Sequence, residues 1–133
     1  MRRRLHHRRS RAKANDRARW DKLRADYKVA YEAARDMRLT LERRYGVSDY
    51  RARMYASRGE QTKLEKLEAR RDKIGDKIVA LIVKISPRGD AWLHGAPAFW
   101  LRGDLTWEDA VRPKGEPLAV VVPAPYGADR GIT

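Results

Sequence analysis

The stretch from Thr62 to Ile85 constrains the fold more than any other part of the chain. Leu64, Leu67, Arg71, Ile74, Ile78, Leu81 and Ile85 recur at alternating spacings of three and four. That is the a/d pattern of a helix that packs along a seam. Arg71 interrupts the seam; a charge there either snorkels to the edge or pairs with a carboxylate on the facing helix. Thr62 followed by Glu65 has capping-box spacing and predicts the helix start. Ser86-Pro87 predicts its end, because proline disfavours helix at the residue before it. Such a seam needs a partner helix in water. Its second half, from Ile78 to Ile85, is apolar on more than one face and needs cover from a second side as well. The run Lys77 to Ile85 also fits a buried strand, but the heptad phase carried over from Leu64 favours helix.

The partner is found upstream. Trp20, Leu23, Tyr27, Ala30, Ala34, Met37 and Leu41 follow the same alternation. Asn15 or Asp16 is placed to cap the start, and Gly46 is placed to stop the helix. Between the seams, Ser48 or Asp49 can cap a short helix, with Asp49 four residues before Arg53. The expected fold is mainly α: an antiparallel helical hairpin of two long helices with a short connecting helix. A continuous helix from Ser48 to Ile85, with Gly59 inside it at some cost, is the alternative.

The chain changes character after Ser86. Trp92, Leu93, Phe99, Trp100, Leu101, Leu105 and Trp107 concentrate aromatic and aliphatic surface in a stretch rich in Gly and Pro. This extension is expected to pack on the hairpin. Thr106 with Asp109 three residues later predicts a short helix. Ala91 to His94 and Phe99 to Leu101 fit one pair of short strands, and Leu118 to Val122 fits an extended strip. Arg88-Gly89-Asp90 and Arg102-Gly103-Asp104 read as turn sequences. The expected organisation is a basic arm over 1–14, the hairpin over 15–86 and the extension over 87–133.

Charge is polarised along this layout. The 133 residues carry a formal net charge of +13. Residues 1–19 hold nine Lys/Arg against one acid, residues 20–86 seventeen against eleven, and residues 87–133 five against six. A positive charge gathered at one end points to an anionic partner, nucleic acid first. Arg2, Arg3, Arg4, Arg8, Arg9, Arg11 and Lys13 form an arm too charged and too poor in apolar residues to fold alone. At the hairpin tip, Arg43, Arg44, Tyr50, Arg51, Arg53, Tyr55 and Arg58 interleave guanidinium groups with tyrosine rings. Arginine forks onto phosphates and tyrosine stacks on bases, so this alternation suits a single strand or a loop. The plainer reading is that the tyrosines pack under the turn.

The expected function is therefore non-catalytic, nucleic-acid-binding accessory work on DNA or RNA, with low or shape-based specificity. The alternative is a protein-interaction module that docks on a ribosome, a polymerase or a phage or virus particle, as a phage-encoded host-interaction or structural protein would. There Trp92, Trp100 and Trp107 would be the anchors. A homodimer through the heptad seam is compatible with either. No Gly-rich phosphate loop, metal-ligand spacing or nucleophile motif is present, so no enzyme, cofactor or metal is expected. The chain has no cysteine, which suits the cytoplasm, or else association with a nucleoid or a virion. No apolar run is long enough to span a bilayer.

Overall fold

The structure, a computed structural model, describes residues 12–119, and the described residues are mainly α-helical. In order, they form α1 (Ala14–Tyr45), α2 (Asp49–Tyr55), α3 (Arg58–Ile85), a 3-10 turn (Gly89–Ala91), α4 (Trp92–Gly95), α5 (Ala98–Gly103) and α6 (Trp107–Ala110). The chain divides into two compact units, one of residues Ala25–Gly75 and one built from the segments on either side.

The helix ends follow local chemistry, not always at the expected residue. Asp16 does not cap α1 from outside. It sits in the first turn, where its carboxylate accepts the Lys13 backbone N–H at 3.0 Å. The acid reaching back from inside the first turn is one half of a capping box. Gly46 closes α1 as expected, at φ 66, and its N–H donates to the Glu42 carbonyl at 2.8 Å. Glycine takes this left-handed conformation without the Cβ clash other residues meet.

The start of α3 corrects the sequence reading. Ser57 and Glu60 form the capping box, with Glu60 N–H donating to Ser57 Oγ at 3.1 Å and Ser57 N–H to Glu60 Oε1 at 2.9 Å. Thr62 and Glu65 share that spacing but lie within the helix. The earlier box prevails because Glu60 also accepts the Tyr45 hydroxyl and pairs with Arg44. Gly59 then falls in the first turn of α3, where its cost is smaller than in a helix interior.

Among residues 25–75 the buried set follows the seams. Tyr27, Ala30, Ala34 and Leu41 of α1 are buried, as is Leu64 of α3. Leu41, Leu64, Ala52 and Ala56 form one core cluster, with Met37, Tyr45 and Val47 packed against it. Arg71 does not reach a facing carboxylate. Its Nε donates to its own neighbour Asp72 at 3.0 Å.

The other unit, residues 12–24 and 76–119 as described, is built differently. Trp20 and Leu23 of α1, and Ile78, Leu81, Ile82 and Ile85 of α3, are buried together with Trp92, Trp100, Leu101, Leu105 and Ala110. The wide apolar face of α3 therefore includes Ile82, outside the strict seam. The Trp20 and Trp107 rings meet edge to face at 5.5 Å, and Trp92 lies 6.2 Å from Trp100. Ser86, fully buried, accepts the Trp92 indole N–H at 2.8 Å and the Arg88 N–H at 3.2 Å. One hydroxyl thus satisfies two buried donors just past the end of α3.

The paired strands expected at 91–94 and 99–101 are helical turns, and no strand occurs among the described residues. The reason lies in which side chains are buried. Trp100, Leu101 and Leu105 are buried while Phe99 is exposed. Adjacent Trp100 and Leu101 of α5 are both buried, which a helical turn allows, whereas a strand would send them to opposite sides. Ala96, before Pro97, is extended at φ −122 and ψ 141, and Pro97 precedes the first turn of α5. Proline imposes that extended state on the residue before it. Thr106 caps α6 as expected, accepting the Asp109 N–H at 3.2 Å. Leu118 and Ala119 are not in a strand, and the rest of the strip to Val122 lies outside the described residues.

Candidate nucleic-acid interface

The connecting helix α2 has seven residues and buries one of them, Ala52. Four residues on, Ala56 is buried as well. Spacing of four puts the two alanines on one face. Small side chains on that face let α2 lie close to Leu41 and Leu64. The large side chains are left on the outside. Tyr50 is 72% exposed, Met54 64% and Tyr55 63%. The expectation that the tyrosines pack under the turn holds for Tyr45, which lies against the core cluster, and not for Tyr50 and Tyr55, whose place Ala52 and Ala56 take.

The arginines of this region separate into two groups. Arg53 is committed to the fold. It donates Nη1 and Nη2 to the two oxygens of Glu68, at 2.8 and 2.6 Å, and Nε to Asp49 at 2.9 Å. Its proton is held more tightly than usual, first by the Glu68 hydrogen bonds and then by those to Asp49. Arg44 pairs with Glu60. Arg43, Arg51 and Arg58 are exposed and make no ion pair with any described residue. The Gln61 amide donates to the carbonyls of Arg53 at 2.7 Å and Ala56 at 3.1 Å. It thereby satisfies acceptors that the end of a short helix leaves open. α2 is therefore held firmly from beneath while Tyr50, Arg51, Tyr55 and Arg58 stay available.

Of the basic residues of the arm, only Lys13 lies within the described residues, and its side chain is exposed. Arg2, Arg3, Arg4, Arg8, Arg9 and Arg11 lie outside them. Comparison with protein-family models, with curated proteins and with solved structures yields no match. Among the described residues, no group of three or more His, Cys, Asp or Glu is placed to hold a metal ion, and no helix is long and apolar enough to cross a membrane.

The tryptophans considered as docking anchors are occupied elsewhere. Trp92 and Trp100 are buried, and Trp107 is half-buried against Trp20 with the Arg17 guanidinium 5.2 Å from its ring. The two Arg-Gly-Asp triplets are likewise built into the fold. Arg88 is buried and donates to the Glu116 carbonyl at 2.7 Å, and Arg102 donates to Asp76 at 2.8 Å.

Proposed function

We propose that the protein is a non-catalytic nucleic-acid-binding accessory protein. In this reading residues 25–75 form the end of an antiparallel helical hairpin and present α2 as a stacking platform. Tyr50 and Tyr55 take exposed bases. Arg43, Arg51 and Arg58, together with the basic arm, follow the phosphates. One observation carries the reading: Tyr50, Arg51 and Tyr55 of α2 are exposed while Ala52 takes its buried side, and Arg43 at the end of α1 and Arg58 at the start of α3 are exposed without an ion pair among the described residues. Aromatic rings left in water beside free guanidinium groups match the stacking-plus-electrostatics recipe for single strands. The docking alternative is placed second because Trp92 and Trp100 are buried and the half-buried Trp107 packs against Trp20.

The test is binding of labelled single-stranded DNA and RNA over a salt series. Expected is saturable binding whose affinity falls linearly with the logarithm of salt, as counterions are released from neutralised phosphates. Tyr50→Ala with Tyr55→Ala should weaken it by about tenfold or more, at roughly 1–3 kcal/mol per stacked base. Removing residues 1–14 should lower both affinity and salt slope. Absence of binding at low salt would discard the proposal.

A further inference from the structure

A second basic feature lies on residues 25–75, away from the exposed face of α2. Tyr31, Ala34, Arg35 and Arg38 of α1, Asp49 and Arg53 of α2, and Glu68 and Arg71 of α3 line a cavity of about 210 Å³. Four arginines from three helices meet two carboxylates there. Both carboxylates are already used by Arg53, whose three guanidinium nitrogens bind them. That leaves Arg35, Arg38 and Arg71 facing the same space.

Each of these three is only lightly held, and by an acid on its own helix. Arg35 Nη2 lies 3.5 Å from Asp36, and Arg38 Nε lies 3.9 Å from Glu42. Arg71 uses Nε alone, toward Asp72, and its two Nη nitrogens make no hydrogen bond among the described residues. Its proton stays more firmly bound than usual: burial pulls the other way, but the Asp72 hydrogen bond and the nearby acids outweigh it. The Arg53–Glu68–Asp49 network fixes one wall. Ala34, 2% exposed, keeps the floor open because a larger side chain there would enter the cavity. Tyr31, 45% exposed with its ring 6.1 Å from Tyr27, stands at the rim.

We infer that this cavity is a phosphate-binding site in which Arg35, Arg38 and Arg71 grip a single phosphate group from three sides. Guanidinium groups fork onto phosphate oxygens, and charge-assisted bonds of this kind are about twice as strong as neutral ones. Size sets the ligand class. The cavity is smaller than the roughly 300–1,000 Å³ typical of sites that enclose a drug-sized ligand. It takes the phosphate and leaves whatever carries it outside. A free small anion and a nucleic-acid strand both present such a group; the chemistry at the site is the same. The inference stands without the preceding reading of α2, whose tyrosines lie elsewhere.

The test follows the arginine Nε–Hε resonances of the full-length protein. Sodium phosphate is added and compared with sodium chloride at matched ionic strength. Saturable, phosphate-specific shifts at Arg35, Arg38 and Arg71 are expected. Arg35→Gln with Arg38→Gln should weaken phosphate binding at least tenfold, and both positions are exposed enough for the fold to persist. Arg38→Lys keeps the charge but loses the fork, and should weaken it several-fold. Arg70→Gln, an exposed arginine outside the cavity, should leave binding unchanged. Shifts no different from those in chloride, or wild-type phosphate affinity in the double variant, would overturn the site. A short oligonucleotide then separates the two sources. Weaker oligonucleotide binding in the double variant, with competition by phosphate, assigns a strand phosphate. Unchanged oligonucleotide binding beside lost phosphate binding assigns a small free anion. The Tyr50/Tyr55 variants test the α2 reading separately, so either proposal can fail alone.

Discussion

The two compact units solve the same problem with opposite materials. Residues 25–75 contain no tryptophan; they bury alanines and leave Tyr50, Met54 and Tyr55 outside. The other unit buries Trp20, Trp92 and Trp100 and ties polar groups in beneath them. Ser86 holds the Trp92 indole, and Arg24 lies 4.7 Å from the Trp20 ring while donating to the carbonyls of Leu101 and Leu105. Large aromatic area carries large burial energy, so a short irregular stretch can be fixed without long helices. Small-residue packing gives close approach but less area, and the Arg53–Glu68–Asp49 network adds orientation. The contrast teaches where each unit can spare surface. The tryptophan unit has its aromatic side chains mostly enclosed, while the alanine-packed unit has rings and guanidinium groups left over for a partner.

The comparison can be broken at its strongest point first. Trp92→Ala should cost about 3–5 kcal/mol, the usual range for truncating a fully buried aromatic, read as a lower urea midpoint. A loss below about 1 kcal/mol would mean the tryptophan unit does not depend on its enclosed rings. Ser86→Ala should cost about 1–3 kcal/mol, because it strands the buried indole N–H without an acceptor. Thermal unfolding of this variant would show whether polar ties matter there as much as area. Arg53→Gln should cost less, about 1 kcal/mol, since the pair with Glu68 is partly exposed and solvent screens it. If chemical denaturation gave a loss equal to that of Trp92→Ala, the distinction between the units would fail.

The smallest effect depends on pH. Asp16 is held below its ordinary value of 3.8, first by the Lys13 N–H and then by the Lys84 ammonium, whose Nζ lies 3.1 Å from its carboxylate. A carboxyl whose folded value is depressed stabilises the fold above its unfolded value and loses that contribution as pH falls through the folded one. Asp16→Asn should therefore be less stable than wild type at neutral pH, and the gap should close as the pH drops below 3.8. Paired denaturation curves at pH 6 and in acid would check this; a gap independent of pH would remove Asp16 from the account.

Much of the architecture was legible in the order of residues. The alternation from Trp20 to Leu41 and from Leu64 to Ile85 identified two long helices, and most residues of those seams are buried. Gly46, Thr106 and the Asp49–Arg53 pair behaved as their local chemistry predicts. These are signals of short range: a side chain acting within one turn, or a period repeated along one helix. Where the same local signal occurs twice, the sequence reading takes Thr62–Glu65 and the chain uses Ser57–Glu60. Ser57–Glu60 and Thr62–Glu65 are the same capping box, and only the reach of Tyr45 and Arg44 to Glu60 decides between them.

The candidate sites were legible in composition and not in arrangement. Interleaved Arg and Tyr between Arg43 and Arg58 marked the region. Which of those residues stay free followed from Ala52 and Ala56 taking the buried face of α2 and from Glu68 claiming Arg53. Arg35, Arg38 and Arg71 gave no sign of a common cavity, because Arg71 lies 36 positions beyond Arg35 and on another helix. Sequence alone determined the two long helices, their seams and the polarity of charge, because these depend on a period repeated along one helix or on simple sums. Tertiary structure decided which aromatic rings became core and which stayed in water. A side chain's burial depends on what covers it, and the covering residues here come from distant parts of the chain.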